Sequence, residues 1–455
     1  MGKNKRYILC FIVMAAIIFY RLSFAQEYRE IPPLTKDDRV LILSPHPDDE
    51  AIGVAGVIQK ALKVRARIKV VCYTNGDNNE VAFIIYEKHI SFKREEFIHV
   101  GEVRRKEAIS AMTYLGVNKD DIIFLGYPDF GTMEILTKYW GKTKPFRSFM
   151  RRSSKVPYPE CLSPGAPYVG ESILKDLKKV IFDFKPTKIF VSHPADINRD
   201  HRSLYVFTRL ALWDVGDKIK SAQIFPYFVH IPKWPMPRGY HPEAELNPPS
   251  NLTDVLWEKL LLTADEVKAK GACISFYKSQ IEYNPPYLFT FARKNELFGD
   301  YPVIDLTSGP ANGFCWQDVS VPKDEEDSQS AVHGRKGGIS ALAYAKTKDN
   351  LFIKLNLKHR IDKTFGISIF LLGYNKNRDF ATLPKIHISI GMFGMTIRDK
   401  KQRVSVKGAR ISYKGNALIL RIPLANLGDP DYILSSARTA DLPFGQTAWR
   451  ILKIK

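Results

Sequence analysis

Apolar residues in the first three fifths of the chain gather into short unbroken runs, separated by longer stretches with helical spacing. The runs are Arg39 to Ser44, Ile68 to Thr74, Asp121 to Leu125 and Lys188 to Ser192. The helical stretches are Ala51 to Leu62, Arg104 to Leu115 and Ile173 to Phe184, and a further helix opens near His201. A strand that is apolar at every position is covered on both faces, and its alternation with helices points to parallel neighbours. The pattern predicts an α/β fold on a doubly wound, mostly parallel, Rossmann-like sheet. In such sheets the ligand crevice opens at the carboxyl ends of the strands.

Beyond about residue 300 the period changes to two. Leu351, Ile353, Leu355 and Leu357 alternate with Phe352, Lys354, Asn356 and Lys358, and Ile386, Ile388, Ile390 and Met392 alternate with His387, Ser389 and Gly391. Short alternating runs punctuated by Gly, Asn and Pro predict a C-terminal antiparallel β-sandwich. The expected organisation is 1–25 as a signal segment, 26–300 as the α/β domain and 301–455 as the β-sandwich, a candidate carbohydrate-binding unit.

Lys plus Arg outnumber Asp plus Glu by 68 to 48, a formal surplus of +20. Residues 301–455 hold 24 basic and 13 acidic residues, so +11 of the surplus belongs to the β module. Lys138, Lys142, Lys144, Arg147, Arg151, Arg152 and Lys155 lie in the long, weakly periodic segment from Phe130 to Gly170. A connection of that length is usually a lid or an insertion. Its charge fits either a solvated loop or a grip on an anionic substrate.

The chain opens with Lys3, Lys5 and Arg6, then an apolar run from Tyr7 to Tyr20, then Ser23-Phe24-Ala25. That is the layout of a secretory signal, so the protein is expected to be exported to the periplasm, the medium or a membrane surface. An uncleaved anchor is the competing reading, although the run falls short of the roughly 20 residues that span a bilayer. Five Cys with no Cys-x-x-Cys pair argue against a disulfide scaffold and against a Cys-based zinc site. A content of 45% hydrophobic and 25% charged residues belongs to a chain that buries cores and excludes disorder.

His46, Asp48 and Asp49 follow the first run directly. An imidazole and a carboxylate three residues apart in a turn can reach one zinc ion, although acids here would also suit the first turn of a helix. A second constellation follows the fourth run, His193-Pro194-Ala195-Asp196-Ile197-Asn198-Arg199-Asp200-His201. Two strand ends would then deliver two His and one carboxylate to one rim, a recurring catalytic zinc set that leaves a position for water. His201 is preferred to His193 as a ligand, because it projects from a helix start beside Asp200, a carboxylate able to orient its other nitrogen. The competing readings are Asp200 as a plain helix cap and His193 as a satisfied loop histidine.

His46 to Glu50 (HPDDE), Arg104-x-x-Glu107, Leu115-Gly116-Val117, Gly126-Tyr127-Pro128-Asp129 and Asp196-x-Asn198-x-Asp200-His201 form an ordered set of motifs. Together with Tyr277 to Gln280 and Phe291 to Phe298, the set resembles the PIG-L (LmbE-like) zinc-dependent N-acetylglucosaminyl deacetylases over roughly residues 37 to 300. The resemblance implies a Zn2+ cofactor held by His46, Asp49 and His201, with Asp48 as general base. It also implies that Arg104 and Asp129 line the substrate site, and that the reaction releases acetate and a free amine. Where many members have a histidine two residues before the Asp-His pair, this chain has Asn198. An asparagine can donate a hydrogen bond to an oxyanion but cannot carry a proton. His230 is a candidate to compensate, against the plainer reading of a structural histidine.

The leading expectation is an exported zinc deacetylase of an N-acetylated amino sugar or glycoconjugate, with the basic segments suggesting an anionic or surface-attached glycan. The alternative, motivated by Asn198, is a non-catalytic exported glycan-binding protein with a degenerate deacetylase domain. A nucleic-acid partner is not expected, because no reading motif accompanies the charge and the signal takes the chain out of the cytoplasm. Membrane or cell-surface association is left open, and the sequence assigns no oligomeric state.

Overall fold

The computed structural model describes residues 28–78, 93–219, 221–282, 284–307, 315–321, 338–358, 366–439 and 446–455. The expected signal segment lies outside the described residues. The first sheet has eight strands, β1 (Arg29–Glu30), β2 (Arg39–Ser44), β3 (Arg67–Thr74), β4 (Ile122–Tyr127), β5 (Lys188–Ser192), β6 (Gln223–Tyr227), β7 (Leu256–Leu261) and β8 (Asn295–Asp300). Their spatial order is 1-7-8-6-5-2-3-4. The run 6-5-2-3-4 is parallel throughout, and β8 runs antiparallel to β6 and β7. Helices α1 (Asp49–Lys63), α2 (Arg94–Leu115), α3 (Thr132–Lys138), α4 (Gly170–Phe184) and α5 (Arg199–Val215) lie along the same stretch of chain. The four apolar runs of the sequence are β2 to β5. In β2, Val40 to Leu43 are fully buried, as unbroken hydrophobicity predicts.

From β2 the chain steps outward through β3 to β4, then returns to the other side of β2 for β5 and β6. The winding therefore reverses between β2 and β5. Loops leaving two such strands diverge, and a crevice opens between them at the carboxyl ends. The loops that flank it here begin at Pro45 and His193, and both carry the motifs.

The C-terminal part supplies twelve more strands, β9 (Ile304–Asp305), β10 (Gln317–Val319), β11 (Ile339–Lys346), β12 (Asn350–Leu357), β13 (Ile367–Tyr374), β14 (Lys385–Gly391), β15 (Gly394–Asp399), β16 (Gln402–Arg403), β17 (Arg410–Lys414), β18 (Ala417–Pro423), β19 (Tyr432–Thr439) and β20 (Arg450–Lys453). They form a five-stranded sheet, 10-11-12-18-17, and a seven-stranded sheet, 16-15-14-13-19-20-9. Pairing is antiparallel except between β9 and β20. Leu342, Ile353, Leu355 and Leu420 of one sheet share an aliphatic core with Ile369, Leu371, Ile388 and Ile433 of the other. Tyr344 Oη and Ser435 Oγ meet across it at 2.9 Å. This is the expected β-sandwich.

Alternation fails in β13, which is buried at every position. Ile367, Ile369 and Leu371 face the sandwich core, while Phe370, Leu372 and Tyr374 pack into the core of the α/β layer. One strand thus serves two cores. Trp213 stacks on Tyr432 with centroids 4.8 Å apart, and Trp449 N donates to Pro194 O at 3.2 Å, so the sandwich braces the loop that follows β5. Met392, read as continuing the inward row of β14, sits exposed in the turn between Gly391 and Gly394. A two-residue turn cannot keep both of its side chains on the inner face. Among the described residues no helix is long and apolar enough to cross a membrane.

Candidate active site

The turn His46-Pro47-Asp48 leads from β2 into α1. Asp48 precedes the first helical residue with φ 126°, a region that non-glycine residues avoid. Backbone strain of this kind costs about 1–3 kcal/mol and clusters at functional sites. Arg104, reaching across from α2, braces the turn. Its Nη2 donates to Pro47 O at 2.7 Å and to Asp48 Oδ2 at 3.1 Å, and its Nη1 to Gly76 O at 2.8 Å. Gly76 has φ +63°, and a Cβ there would collide with the guanidinium, so glycine is what lets Arg104 through.

His46, Asp49 and His201 converge at the head of the crevice. His46 Nδ1 lies 3.2 Å from Asp49 Oδ2, His201 Nε2 lies 3.1 Å from the same oxygen, and the two nitrogens are 3.3 Å apart. Ligands at about 2.0–2.1 Å from a tetrahedral zinc stand roughly 3.3–3.4 Å from one another. The nearly equilateral triangle fits that spacing, and it points two imidazole nitrogens at each other, which a cation reconciles. The far nitrogens face carboxylates. His201 Nδ1 is 3.1 Å from Asp196 Oδ2, and His46 Nε2 is 3.2 Å from Asp129 Oδ1 and 3.5 Å from Asp200 Oδ2. Carboxylates behind ligating imidazoles fix ring orientation and raise ligand basicity.

His46, Asp129 and Asp200 also come close enough to share an ion. Asp200, however, already accepts from Phe130 N, Thr132 N and Thr132 Oγ1, so this group reads as support for His46. Burial opposes protonation of His46, yet Asp129, Asp200 and Asp49 hold its pKa above the usual range. For His201, burial likewise opposes and Asp196 and Asp49 prevail, raising it to about 9. Asp49 is held low against burial by His201 and His46. Burial pushes Asp48 up to about 8, opposed by Arg104.

His46 and Asp49 of the triangle border a cavity of about 630 Å³ lined also by Asp48, Arg104, Asp129, Asn198, His230 and Tyr287. That volume lies within the range of small-molecule sites.

Residues 41–212 match the family described as GlcNAc-PI de-N-acetylase, PIG-L. Those residues form a PIG-L domain. A 1D-myo-inositol 2-acetamido-2-deoxy-alpha-D-glucopyranoside deacetylase of a Nocardioides species is 34% identical over 99 residues, which is 22% of this chain and 30% of that protein. A putative glucosamine-6-phosphate deaminase-like protein of Bacteroides thetaiotaomicron is 21% identical over 287 residues, 54% of this chain and 36% of its own length. The chain thus spans about a third of the curated relatives it matches. Among solved structures, an N,N'-diacetylchitobiose deacetylase of Pyrococcus horikoshii aligns at 21% identity and TM-score 0.35, covering 57% of this chain and 82% of that one.

Within the PIG-L domain, Asp48, Asp49, His46, His201, Arg104 and Asp129 lie together, but one expected partnership changes. Asp200 does not orient His201. It sits behind His46, because as the second residue of α5 it is held by Phe130 and Thr132, and Asp196 takes the His201 position instead. Arg104 and Asp129 both line the cavity; Arg104 donates to the Asp48 turn and to Gly76 O, and Asp129 faces His46 besides accepting from Asn78 N at 3.1 Å. His193 is buried against Phe228 and accepts from Ala195 N, outside the triangle.

Asn198 caps α5, its Oδ1 accepting from Asp200 N at 2.8 Å, which leaves the amide nitrogen as the donor of a cavity-lining residue. His230 lines the cavity with its ring centroid 4.8 Å from that of His201. Asp196 Oδ2 accepts from the His230 backbone N at 2.9 Å, so the carboxylate that faces the His201 ring also holds the backbone of His230, whose Nδ1 lies 2.9 Å from Tyr287 Oη. None of the basic residues of the 130–170 segment lines the cavity. Arg151 is buried on Asp77, pinning the segment to the end of β3, while Lys142, Lys144, Arg147, Arg152 and Lys155 are exposed. Trp140 and Trp449 are buried and Trp316 is half-buried. Asp196 stands in a motif that the sequence singles out, but its pairing with His201 shows only in the fold. Arg238 and Tyr287 carry no sequence signal, because only the tertiary fold brings their loops to the crevice.

Proposed function

We propose that the chain is an exported zinc-dependent N-deacetylase of an N-acetylated amino sugar or glycoconjugate of the N-acetylglucosamine type. The observation that carries this reading is the His46–Asp49–His201 triangle with Asp48 beside it at the head of a substrate-sized cavity. A zinc ion held there would polarise the amide carbonyl and acidify a bound water. Asp48 takes the proton from the attacking water and returns it to the departing nitrogen as the C–N bond breaks, giving acetate and an amine. Arg104 aims the Asp48 carboxylate and favours its ionised form. The Asn198 amide, and the His230 imidazole in the tautomer that carries its proton on Nε2, are the donors that would meet the carbonyl oxygen, where charge develops. Ile52, Phe130, Ile197 and Leu288 give the cavity apolar walls that limit water.

The test is acetate release from free, phosphorylated and lipid-linked N-acetyl sugars, with and without chelator. Release from one class, abolished by chelation and restored by zinc, is expected. Purified protein without stoichiometric zinc, or full turnover in Asp48→Asn, would sink the reading. Asn198 supports a second reading, a glycan-binding protein without activity. Glycan binding that survives chelation, with no acetate from any substrate, would favour it. Export rests on residues 1–25, and a mature N-terminus at Gln26 in the exported fraction tests it.

A further inference from the structure

At the cavity wall away from the acidic cluster stands a cation that the deacetylation chemistry does not use. Arg238 lines the cavity, and its Nη1 is buried without a hydrogen-bond partner among the described residues. Its guanidinium lies 4.8 Å from the centroid of the Tyr287 ring. Tyr287 in turn stacks on His230 at 5.9 Å with the planes 5° apart, and His230 touches His201. The four side chains form a row leading from the candidate metal ligands along the wall.

The loop that carries Arg238 is fixed on both sides. Pro237 O accepts from Arg293 Nη2 at 2.8 Å, Arg238 O lies 3.0 Å from His241 Nε2, and Gly239 N donates to Pro286 O at 3.1 Å and Thr290 Oγ1 at 2.9 Å. Neighbouring charge is not neutralised. Among the described residues Arg293 bonds only carbonyl oxygens, of Thr290, Glu245 and Pro237, and the nearby Glu245 carboxylate pairs with Lys294. Burial and Arg238 together lower the Arg293 pKa. Leaving a buried guanidinium nitrogen unpaired is costly unless a ligand supplies the acceptor. Arginine on an aromatic face presents a fork suited to carboxylate or phosphate.

We propose that Arg238 is an anion subsite, binding a carboxylate or phosphate group carried by the substrate on the side of the acetamido sugar remote from the metal ligands. This rests on the deacetylase reading, and it narrows the substrate to an acidic glycan.

The experiment compares zinc-loaded wild type, Arg238→Ala and Arg238→Lys on three substrates. They are an uncharged N-acetylglucosamine disaccharide, the same disaccharide with a uronic acid as second sugar, and one with a phosphate there. The neutral sugar is the internal reference. Arg238→Ala should lower the anionic-to-neutral ratio of kcat/KM by about 10- to 100-fold for the carboxylate, the phosphate or both, mainly through KM, with partial rescue by lysine. Whichever acidic arm responds identifies the anion. An unchanged ratio in both arms overturns the subsite. Binding of glucuronate and of inorganic phosphate, measured by calorimetry on the same proteins, needs no turnover. Anion binding lost in Arg238→Ala without acetate release from any substrate would keep the subsite and refute the deacetylase, whereas equal binding by both proteins refutes the subsite.

Discussion

The rim of the parallel sheet and the interior of the sandwich bury side chains of opposite kinds. At the rim His46, Asp49, Asp129, Asp196, Asp200 and His201 are packed with almost no exposure. Among the described residues the sandwich core is aliphatic except for Tyr344. Burying a charge is expensive unless it is paired, and a fold accepts that expense where chemistry requires it. An aliphatic core contributes stability and nothing else. The two regions should therefore respond to mutation in separable ways, the rim in turnover and metal content, the sandwich in stability.

The largest effect belongs to the triangle. Asp49→Ala should abolish stoichiometric metal and bring acetate release to background, because Asp49 Oδ2 is the oxygen shared by both imidazoles. Elemental analysis and turnover read it together. Next comes Asp48→Asn, which keeps shape and removes the base. It should retain metal and lose about 10²–10⁴ in kcat. A variant that lost metal as well would make Asp48 a ligand and break the division of roles between neighbours. His230→Ala and Asn198→Ala, compared at constant metal content, should each lower kcat more than they raise KM if both meet the developing oxyanion. If only His230 responds, the imidazole missing at position 198 is supplied from the end of β6.

Metal binding should also depend on pH in a stated direction. The carboxylates around them raise the pKa of His46 and of His201, the latter to about 9, and ligation needs both imidazoles neutral. Zinc uptake should release protons, and apparent affinity should weaken as pH falls below 9, by about tenfold per unit for each proton displaced. Calorimetry in buffers of different ionisation enthalpy counts those protons. A pH-independent affinity would mean that the imidazoles are already neutral.

On the other side of the comparison, Leu420→Ala in the sandwich core should cost about 2–5 kcal/mol of stability. The kcat of the folded fraction should stay unchanged, since Leu420 belongs to that core and does not line the cavity. A drop in kcat without loss of folded protein would show that the sandwich shapes the rim. A route exists for such coupling, through Trp449 and Pro194 and through the bond from Arg202 to Thr447 O.

That route also shows where the sequence stops being readable. Strands β2 to β5 were legible because covering both faces leaves an unbroken apolar run, and the two motif loops were legible because they follow such runs directly. β7 was not, since its sequence LWEKLL mixes one buried residue with charged and exposed ones. β13 gave no alternation because it lies between two cores. At the site, the residues on contiguous motifs could be named in advance, whereas the pairing of Asp196 with His201 and of Asp200 with His46 depends on how α5 meets the Phe130–Thr132 turn. Arg238 and Tyr287 needed the whole fold.

The smallest effect is expected where the charge surplus is greatest. Lys407, Arg410 and Lys414 are exposed on the sandwich. Replacing each by Gln should change stability by no more than about 0.5 kcal/mol, because nothing packs on a solvated charge. Turnover of a small soluble substrate should not move either, since none of the three lines the cavity. The same triple variant passed over an immobilised anionic polysaccharide asks a different question, because screened surface charge acts over about 10 Å and does not need a formed site. Unchanged retention makes the surplus a matter of solubility and leaves anion selection to Arg238. Weaker retention that converges with wild type at high salt would give the sandwich a part in holding polymeric substrate, and the comparison between a chemical rim and a merely stabilising sandwich would then have to be redrawn.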